Sequence, residues 1–112
     1  SWDFSEGAAR MKAARVDRNQ PEIVKALRSV GATVQPLHTV GKGCPDLLVG
    51  FRGVNFLMEV KDWQASNTDR KLRDNQAEWH AGWKGLVALV ETVDAALIVI
   101  GAIDVKIAGR VT

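Results

Sequence analysis

The sequence predicts an α/β fold in which a mixed β-sheet is flanked by helices. A helix signal over 19–31 precedes the first strand-like segment. Two apolar segments then surround Arg52 and Gly53 in the pattern of a β-hairpin, and a further helix separates this hairpin from an apolar segment over 86–90. Antiparallel strands followed by a helix and a returning strand make a mixed sheet.

Length and composition indicate one globular domain. The 112 residues are near the size at which a partner subunit often contributes to stability. We expect an N-terminal tail over 1–18 and a folded domain over 19–112. A content of 46% hydrophobic and 25% charged residues argues against disorder. The net charge of +2 does not by itself indicate nucleic-acid binding, so any DNA contact must be local.

The cysteine and hydropathy patterns favour a soluble, intracellular protein. Cys44 is the single cysteine and has no partner for an internal disulfide. No apolar run approaches the ~20 residues that a membrane span needs, and no secretory signal is present. We therefore expect a cytoplasmic location and no membrane contact.

The first helix is predicted to start at Asn19 and to end at Gly31. Pro21 suits the first turn, and Gly31 is a typical C-cap. Glu22 has two interpretations: it can complete a capping box with Asn19, or it can be directed at an active site. The apolar residues at helical spacing are Ile23, Val24, Leu27 and Val30.

Residues 32–37 are predicted to form the first strand, followed by a loop to Cys44. Lys42 lies between Gly41 and Gly43, but the segment lacks the remaining residues of a phosphate-binding P-loop. Lys42 can either contact a DNA phosphate or remain in solvent. His38 is expected to be structural or exposed, and Cys44 is expected to be a small buried residue that fills space.

The hairpin brings two acidic residues together. If Arg52 and Gly53 form a two-residue loop, Phe51 faces Val54, and counting outward places Asp46 opposite Glu59. Cβ atoms of directly opposed residues lie about 4.5–5.5 Å apart, where like charges are destabilising. The alternating residues Phe56, Met58 and Val60 assign the other face to a core.

Lys61 or a hard divalent cation can compensate this repulsion. Lys61 lies two residues beyond Glu59 and therefore on the same face. Mg²⁺ prefers carboxylate and carbonyl oxygens and often binds substrate phosphates. Two acids and an amine on one face indicate a metal-dependent phosphodiester site. The alternative is a hairpin whose charged residues only face solvent.

A second helix is predicted after the polar segment 62–69, where residues 66–69 offer several caps, and it should run to about Trp83. Leu72, Gln76, Trp79 and Trp83 share one face of it. A buried glutamine needs partners for its amide. Gln76 can find them at the floor of a metal site, or it can lie at the edge of the stripe and reach water.

Basic residues cluster near the start of this helix and are the best local candidates for binding phosphate, although a solvated helix face is the alternative. They are Arg70, Lys71 and Arg73.

The remaining segments complete the predicted sheet. Residues 86–90 are predicted to form a strand and 93–100 a helix capped by Thr92. Residues 103–107 alternate enough to form a final strand at an edge or a subunit contact.

The residues around the two acids resemble a nuclease motif. Pro45 and Asp46, followed by Glu59, Val60 and Lys61, resemble the PD-(D/E)XK signature. The segment from Gly43 to Leu47 resembles the virus-type replication-repair (VRR-NUC) branch of that superfamily. The resemblance extends over about 19–100 and implies a restriction-endonuclease-like αβββαβ core.

The resemblance also implies roles for the candidate residues. It implies a Mg²⁺- or Mn²⁺-dependent DNA endonuclease whose metal is held by Asp46, Glu59, the Val60 carbonyl and a glutamate of the first helix, best matched by Glu22. Lys61 would orient the attacking water, and Gln76 would position Lys61 or the scissile phosphate.

Stand-alone relatives of this length resemble homodimeric enzymes that resolve Holliday junctions. The resemblance therefore implies branched DNA as substrate, a second copy of the chain as partner, and an origin compatible with phage or prophage. Two alternatives remain open. One is a monomeric nuclease for flaps, nicks or ends, and the other is a DNA-binding module that does not cleave.

Overall fold

The computed structural model describes residues 17–62, 64 and 72–105. These residues form a four-stranded sheet and helices on its two faces. In chain order the elements are α1 (Gln20–Ser29), β1 (Thr33–Pro36), β2 (Leu47–Phe51), β3 (Val54–Val60), α2 (Asp74–Gly82), β4 (Val87–Val90) and α3 (Val93–Val99).

The sheet is mixed, as the sequence predicts. Its strand order is β1-β2-β3-β4, with antiparallel pairing of β1 with β2 and of β2 with β3, and parallel pairing of β3 with β4. The crossover between the parallel strands contains α2. This arrangement is the predicted restriction-endonuclease-like α/β core, and the prediction of fold class is confirmed.

One face of the sheet is packed against α1 and α3. Alternate residues of a strand point to the same side of the sheet. Leu47, Val49 and Phe51 of β2 therefore share that face with Met58 and Val60 of β3. Buried residues of α1 and α3 complete the core from above: Ile23, Leu27 and Ala96, with Ile100 just past the end of α3. The predicted core side of the hairpin is therefore confirmed.

The first helix is confirmed, but its cap differs from the prediction. Helix α1 begins at Gln20, and the Asn19 side chain makes no capping hydrogen bond. The Asn19 amide Nδ2 instead donates to the carbonyl oxygens of Lys61 at 3.0 Å and Glu91 at 2.9 Å. Asn19 therefore joins the start of α1 to the ends of β3 and β4 through its amide N–H groups, and its Oδ1 does not cap the helix.

Helix α2 starts later than predicted. It begins at Asp74, so Leu72 and Arg73 precede it, and the predicted caps over 66–69 lie outside the described residues. Helix α3 is capped as predicted, since the Thr92 hydroxyl accepts a hydrogen bond from Ala95 N–H at 3.0 Å. Residues 103–105 are not in a strand, and 106–107 lie outside the described residues.

In the described ranges, every helix is too short or too polar to cross a membrane.

Candidate active site

The tight turn of the β2–β3 hairpin fixes the position of the two acids. Arg52 and Gly53 both have positive φ, 51° and 82°, which is the conformation of a two-residue type I′ loop. Phe51 pairs with Val54 and Leu47 with Met58, as predicted. Asp46 and Glu59 follow this last pair directly, so they lie next to each other on the face opposite the core.

Asp46 is held in place by hydrogen bonds from the end of β3 and from the residue that follows β1. Its Oδ2 accepts from the backbone N–H of Val60 at 2.7 Å, and its carbonyl oxygen accepts from Leu37 N–H at 2.7 Å. The preceding Pro45 is buried and has no N–H to donate. The side chain of Asp46 therefore replaces a ladder partner of Val60 and keeps its carboxyl beside Glu59.

Both carboxyls have a raised pKa. Burial raises the pKa of Glu59 to about 8, and the negative charge of Asp46 adds to the effect. Burial also raises the pKa of Asp46, although the hydrogen bond from Val60 N–H acts in the opposite direction. Glu59 is only 2% exposed. The pair therefore carries less than two negative charges at neutral pH unless a cation neutralises it.

Gln76 links the acid to the lysine. Its Nε2 donates to Glu59 Oε2 at 2.9 Å, and its Oε1 accepts from Lys61 Nζ at 3.1 Å. Lys61 Nζ lies 3.7 Å from the same Glu59 oxygen. The backbone N–H of Arg73 also donates to Gln76 Oε1, at 2.9 Å. Of the two interpretations of Gln76, the structure favours the one in which its amide is at the site.

The donor set suits a hard divalent cation. Glu59 Oε1 is buried and has no hydrogen-bond partner among the described residues. Burial and the charge of Asp46 disfavour ionisation of this carboxyl by raising its pKa. A cation would supply the missing partner and favour the ionised form, because carboxylate oxygens are the ligands that Mg²⁺ prefers. The described residues contain no group of three or more His, Cys, Asp or Glu side chains that could hold a metal.

Glu22 does not join the two acids. It is exposed on α1, whose buried face is formed by Gln20, Ile23 and Leu27. Because Glu22 precedes Ile23 by one residue, it points about 100° away from that face. The structure therefore brings together Asp46, Glu59, Lys61 and Gln76 of the predicted catalytic residues, with Val60 beside them, and leaves Glu22 apart.

Asp17 is a charge near the site that the sequence did not indicate. Its negative charge contributes to the raised pKa of both Asp46 and Glu59, after burial. The neighbouring Arg18 forms an ion pair with Asp62 at 2.8 Å, which lowers the pKa of Asp62. The only sequence signal was the position of Asp17 just before the predicted helix start, inside the segment assigned to the tail.

The loop before the motif is packed against α2. Gly41, Lys42 and Gly43 all have positive φ, and Lys42 is exposed. A Cβ at Gly43 would overlap the backbone carbonyl oxygen of Asn75, in the first turn of α2. The glycine therefore allows the loop to approach the helix that carries Gln76, with Lys42 directed outward beside the site.

Two further titratable groups border the site. Burial and the nearby acids Glu59 and Asp46 raise the pKa of the Cys44 thiol, which disfavours a reactive thiolate. Burial and Lys61 lower the pKa of His80. His80 follows Gln76 by one helical turn.

The predicted phosphate-binding cluster is described only in part. Arg73 is exposed immediately before α2. Arg70 and Lys71 lie outside the described residues.

Comparison with known proteins agrees with the fold and the motif. The chain is similar to a solved VRR-NUC domain with 29% sequence identity and a TM-score of 0.57, covering 72% of this chain and 90% of that domain. No protein-family model matches the sequence. No curated protein is significantly similar to it.

The hairpin acids, the neighbouring lysine and the mixed sheet define a protein of the restriction-endonuclease-like fold. Together with these features, the structural match supports a VRR-NUC domain in the described chain. Similarity to this family implies that the domain is a nuclease.

Proposed function

We propose that the protein is a divalent-metal-dependent DNA endonuclease that hydrolyses phosphodiester bonds in branched DNA. The observation that carries this proposal is the group in which Asp46 and the buried Glu59 and Lys61 lie at the end of the hairpin and Gln76 of α2 bridges Glu59 and Lys61. Asp46, Glu59 and the Val60 carbonyl would hold Mg²⁺ or Mn²⁺. The ion, when bound, polarises the phosphate and increases the acidity of water.

Lys61 orients the attacking water and stabilises negative charge that develops on the phosphate. Water forms the new bond to phosphorus, the bond to the leaving sugar oxygen breaks, and that oxygen takes a proton. Gln76 fixes the Lys61 ammonium relative to Glu59 through its two hydrogen bonds, at 3.1 and 2.9 Å. A site this buried keeps these groups in place before DNA binds, which lowers the reorganisation needed for reaction.

Substrate contacts are assigned to basic residues around the site. Lys42 and Arg73 are exposed on the loop and the helix start that flank Gln76, which supports a role in binding backbone phosphates. Arg70 and Lys71 are proposed to extend this contact. Glu22 is exposed on α1 and forms no group of three with the two acids, so the metal set proposed from the structure does not include it. The charge of Asp17, which precedes α1, acts on both acids.

We further propose that two copies act together on a four-way junction. Two sites related by a two-fold axis suit a substrate that is cut symmetrically. This part of the proposal rests on the family, whereas the chemistry rests on the site.

The decisive test compares cleavage of a four-way junction, a flap and a linear duplex by the wild type and by Lys61→Ala, with Mn²⁺ and with EDTA. We expect Mn²⁺-dependent cleavage of the junction, lost in Lys61→Ala by several orders of magnitude while DNA binding persists. Gel filtration should give the mass of a dimer. Preferential cleavage of flaps by a monomer would support the alternative nuclease, and binding without cleavage on every DNA would support a non-cleaving module.

A further inference from the structure

Two tryptophans form a stacked pair at the end of α2. The ring centroids of Trp79 and Trp83 are 4.6 Å apart and their planes differ by 16°. Trp79 is half-buried, but Trp83 is 46% exposed. One face of the Trp83 indole lies on Trp79, and the exposure of the residue leaves the rest of the ring partly accessible in the described structure.

The Trp83 ring is fixed although it is exposed. The backbone N–H of Trp83 donates to the carbonyls of Trp79 at 3.1 Å and His80 at 3.4 Å, so its backbone is held at the C-cap of α2. Gly85 lies against the pyrrole side of the indole, where an added Cβ would be 2.9 Å from Nε1. A ring held in this way loses little conformational freedom when it binds a ligand.

The pair is not part of the protein core. Helix α2 has no buried residue, whereas both other helices contribute side chains to the core. Leu86 and Leu89, which follow Trp83 in the chain, are 55% and 45% exposed. Packing within the described chain therefore does not account for an aromatic pair at this position.

The exposed ring is aligned with the active site. Trp83 follows Gln76 by seven residues, which places the two side chains within about 20° of each other around the helix and about 10 Å apart along it. Successive nucleotides rise 3.4 Å per strand in a duplex, so this distance corresponds to about three nucleotides. Gln76 is hydrogen-bonded to Glu59 and Lys61.

The charges around this line suit a nucleic acid. Lys84 is exposed next to Trp83, and Arg73 is exposed at the other end of α2. The acidic Glu78 is two residues from Gln76 and therefore lies about 200° around the helix from it. A DNA strand that follows α2 meets basic residues at both ends and an aromatic ring face at one.

On these grounds we propose that Trp83 is a stacking platform for an unpaired nucleobase about three nucleotides from the scissile phosphate. Aromatic rings bind any base through its π-face and so recognise the absence of pairing, not a sequence. This inference rests on the proposed endonuclease and narrows its substrate to DNA that has, or opens, unpaired nucleotides at a branch.

The test places 2-aminopurine at each unpaired position of a branched oligonucleotide and measures its fluorescence and the affinity of binding in EDTA. With the wild type we expect quenching at one or two neighbouring positions. Trp83→Ala should lose the quenching and bind about tenfold to a hundredfold more weakly, the range typical of one stacked base. Trp83→Phe should keep most of both, since it retains a ring. Leu86→Ala is the matched control, because it removes a similarly exposed apolar side chain without a ring.

Three results would overturn the proposal. One is equal weakening of unpaired and fully paired DNA by Trp83→Ala. Another is unchanged binding and fluorescence in that variant. The third is conversion of a dimer to a monomer by Trp83→Ala with the base signal intact, which would make the ring a subunit contact.

Cleavage of the same oligonucleotides with Mn²⁺ separates this inference from the proposed function. Quenching without any Mn²⁺-dependent cleavage would refute the endonuclease and leave the platform. Cleavage that is insensitive to Trp83→Ala on every DNA would refute the platform and leave the endonuclease.

Discussion

The Oδ2 atom of Asp46 accepts a hydrogen bond from the backbone N–H of Val60 at 2.7 Å. This contact connects a proposed metal ligand on one strand to the peptide on the next strand whose carbonyl is also a proposed ligand. Substitution by asparagine can therefore distinguish the charge of Asp46 from its role as a hydrogen-bond acceptor, because asparagine keeps an acceptor oxygen and loses the charge.

We therefore expect Asp46→Asn and Asp46→Ala to lose Mn²⁺-dependent cleavage alike but to differ in stability. Asparagine can still accept from Val60 N–H and relieves the repulsion with Glu59, so it should unfold at a higher temperature than the wild type at pH 8 in EDTA. Alanine leaves the Val60 N–H without this partner, at a cost of about 1–3 kcal/mol relative to asparagine. Thermal unfolding followed by circular dichroism measures both. A cleavage rate near that of the wild type in either variant would remove Asp46 from the metal site.

The raised pKa of Glu59 predicts that stability depends on pH. The carboxyl has a pKa of about 8 in the folded protein against an ordinary value of 4.5. The folded state therefore binds this proton more tightly than the unfolded state does. The resulting stabilisation of the folded state is present in full below about pH 4.5 and is lost as the pH rises to about 8.

The unfolding temperature in EDTA should accordingly fall between pH 5 and 8 in the wild type, and much less in Glu59→Gln. Mn²⁺ should restore the wild type at pH 8, because a bound cation replaces the proton. Glu78→Gln, which changes an exposed glutamate of α2, is the control and should follow the wild type. A steep pH dependence that survives in Glu59→Gln would assign the effect to another group.

Gln76→Leu tests the bridge between acid and lysine. It removes the hydrogen bonds to Glu59 and Lys61 while keeping a similar volume. We expect kcat to fall about 100-fold, as is typical when catalytic groups are displaced by a small distance, with little change in DNA affinity. In a Lys61→Ala background the same substitution should reduce the rate much less, because the group that Gln76 orients is absent. Additive losses in single-turnover cleavage would show that Gln76 does not act through Lys61.

Gly43→Ala and Gly41→Ala form a matched pair. Both glycines have positive φ, 84° and 74°, so alanine carries a similar conformational penalty at each, about 1 kcal/mol. Only at Gly43 would the new methyl overlap a neighbour, the backbone of Asn75. Gly43→Ala should therefore displace the start of α2 with Gln76 and lose cleavage, whereas Gly41→Ala should only lower the unfolding temperature. Equal activities would contradict the close approach of loop and helix.

Lys42→Ala should weaken DNA binding through charge alone. Loss of one phosphate contact on duplex DNA lowers the slope of log K against log salt by about 0.9. We expect the same from Arg73→Ala, with nearly unchanged cleavage at saturating DNA in both. Lys25→Ala is the control, because Lys25 is an exposed lysine on α1, away from the site. A salt slope that changes only in the control would place the DNA on the other face of the protein.

The hairpin and its acids were predictable because local chemistry determines them. Counting outward from Arg52 and Gly53 gives the register that brings Asp46 to Glu59, and the period of two assigns Lys61 to the same face. Gln76 was recognisable as the one polar residue on an apolar stripe, but the stripe alone left open whether its amide lies at the site or reaches water.

The remaining site features depend on distant partners. Asn19 has the form of an N-cap, but its amide binds carbonyls 42 and 72 residues away. No local pattern indicates such partners. Helix α2 starts only at Asp74. Arg73 is its N-cap residue, and the side chain of Gln76 in the first turn accepts a hydrogen bond from Arg73 N–H. The proximity of Asp17 to the acids follows from the same docking of the α1 start against β3.

The hydrogen bonds of Asn19 have a consequence for biosynthesis. The contacts of the hairpin are local in the chain, so all of its residues are synthesised before Gln76 and β4. The hydrogen bond from Asn19 to the Glu91 carbonyl needs a chain that is complete through β4. Gln76 lies between Asn19 and Glu91 in the sequence. A nascent chain that has emerged only as far as Lys61 therefore carries both acids and the lysine but lacks the amide that aligns them. On this basis nuclease activity would arise only after nearly the whole domain has been translated and folded.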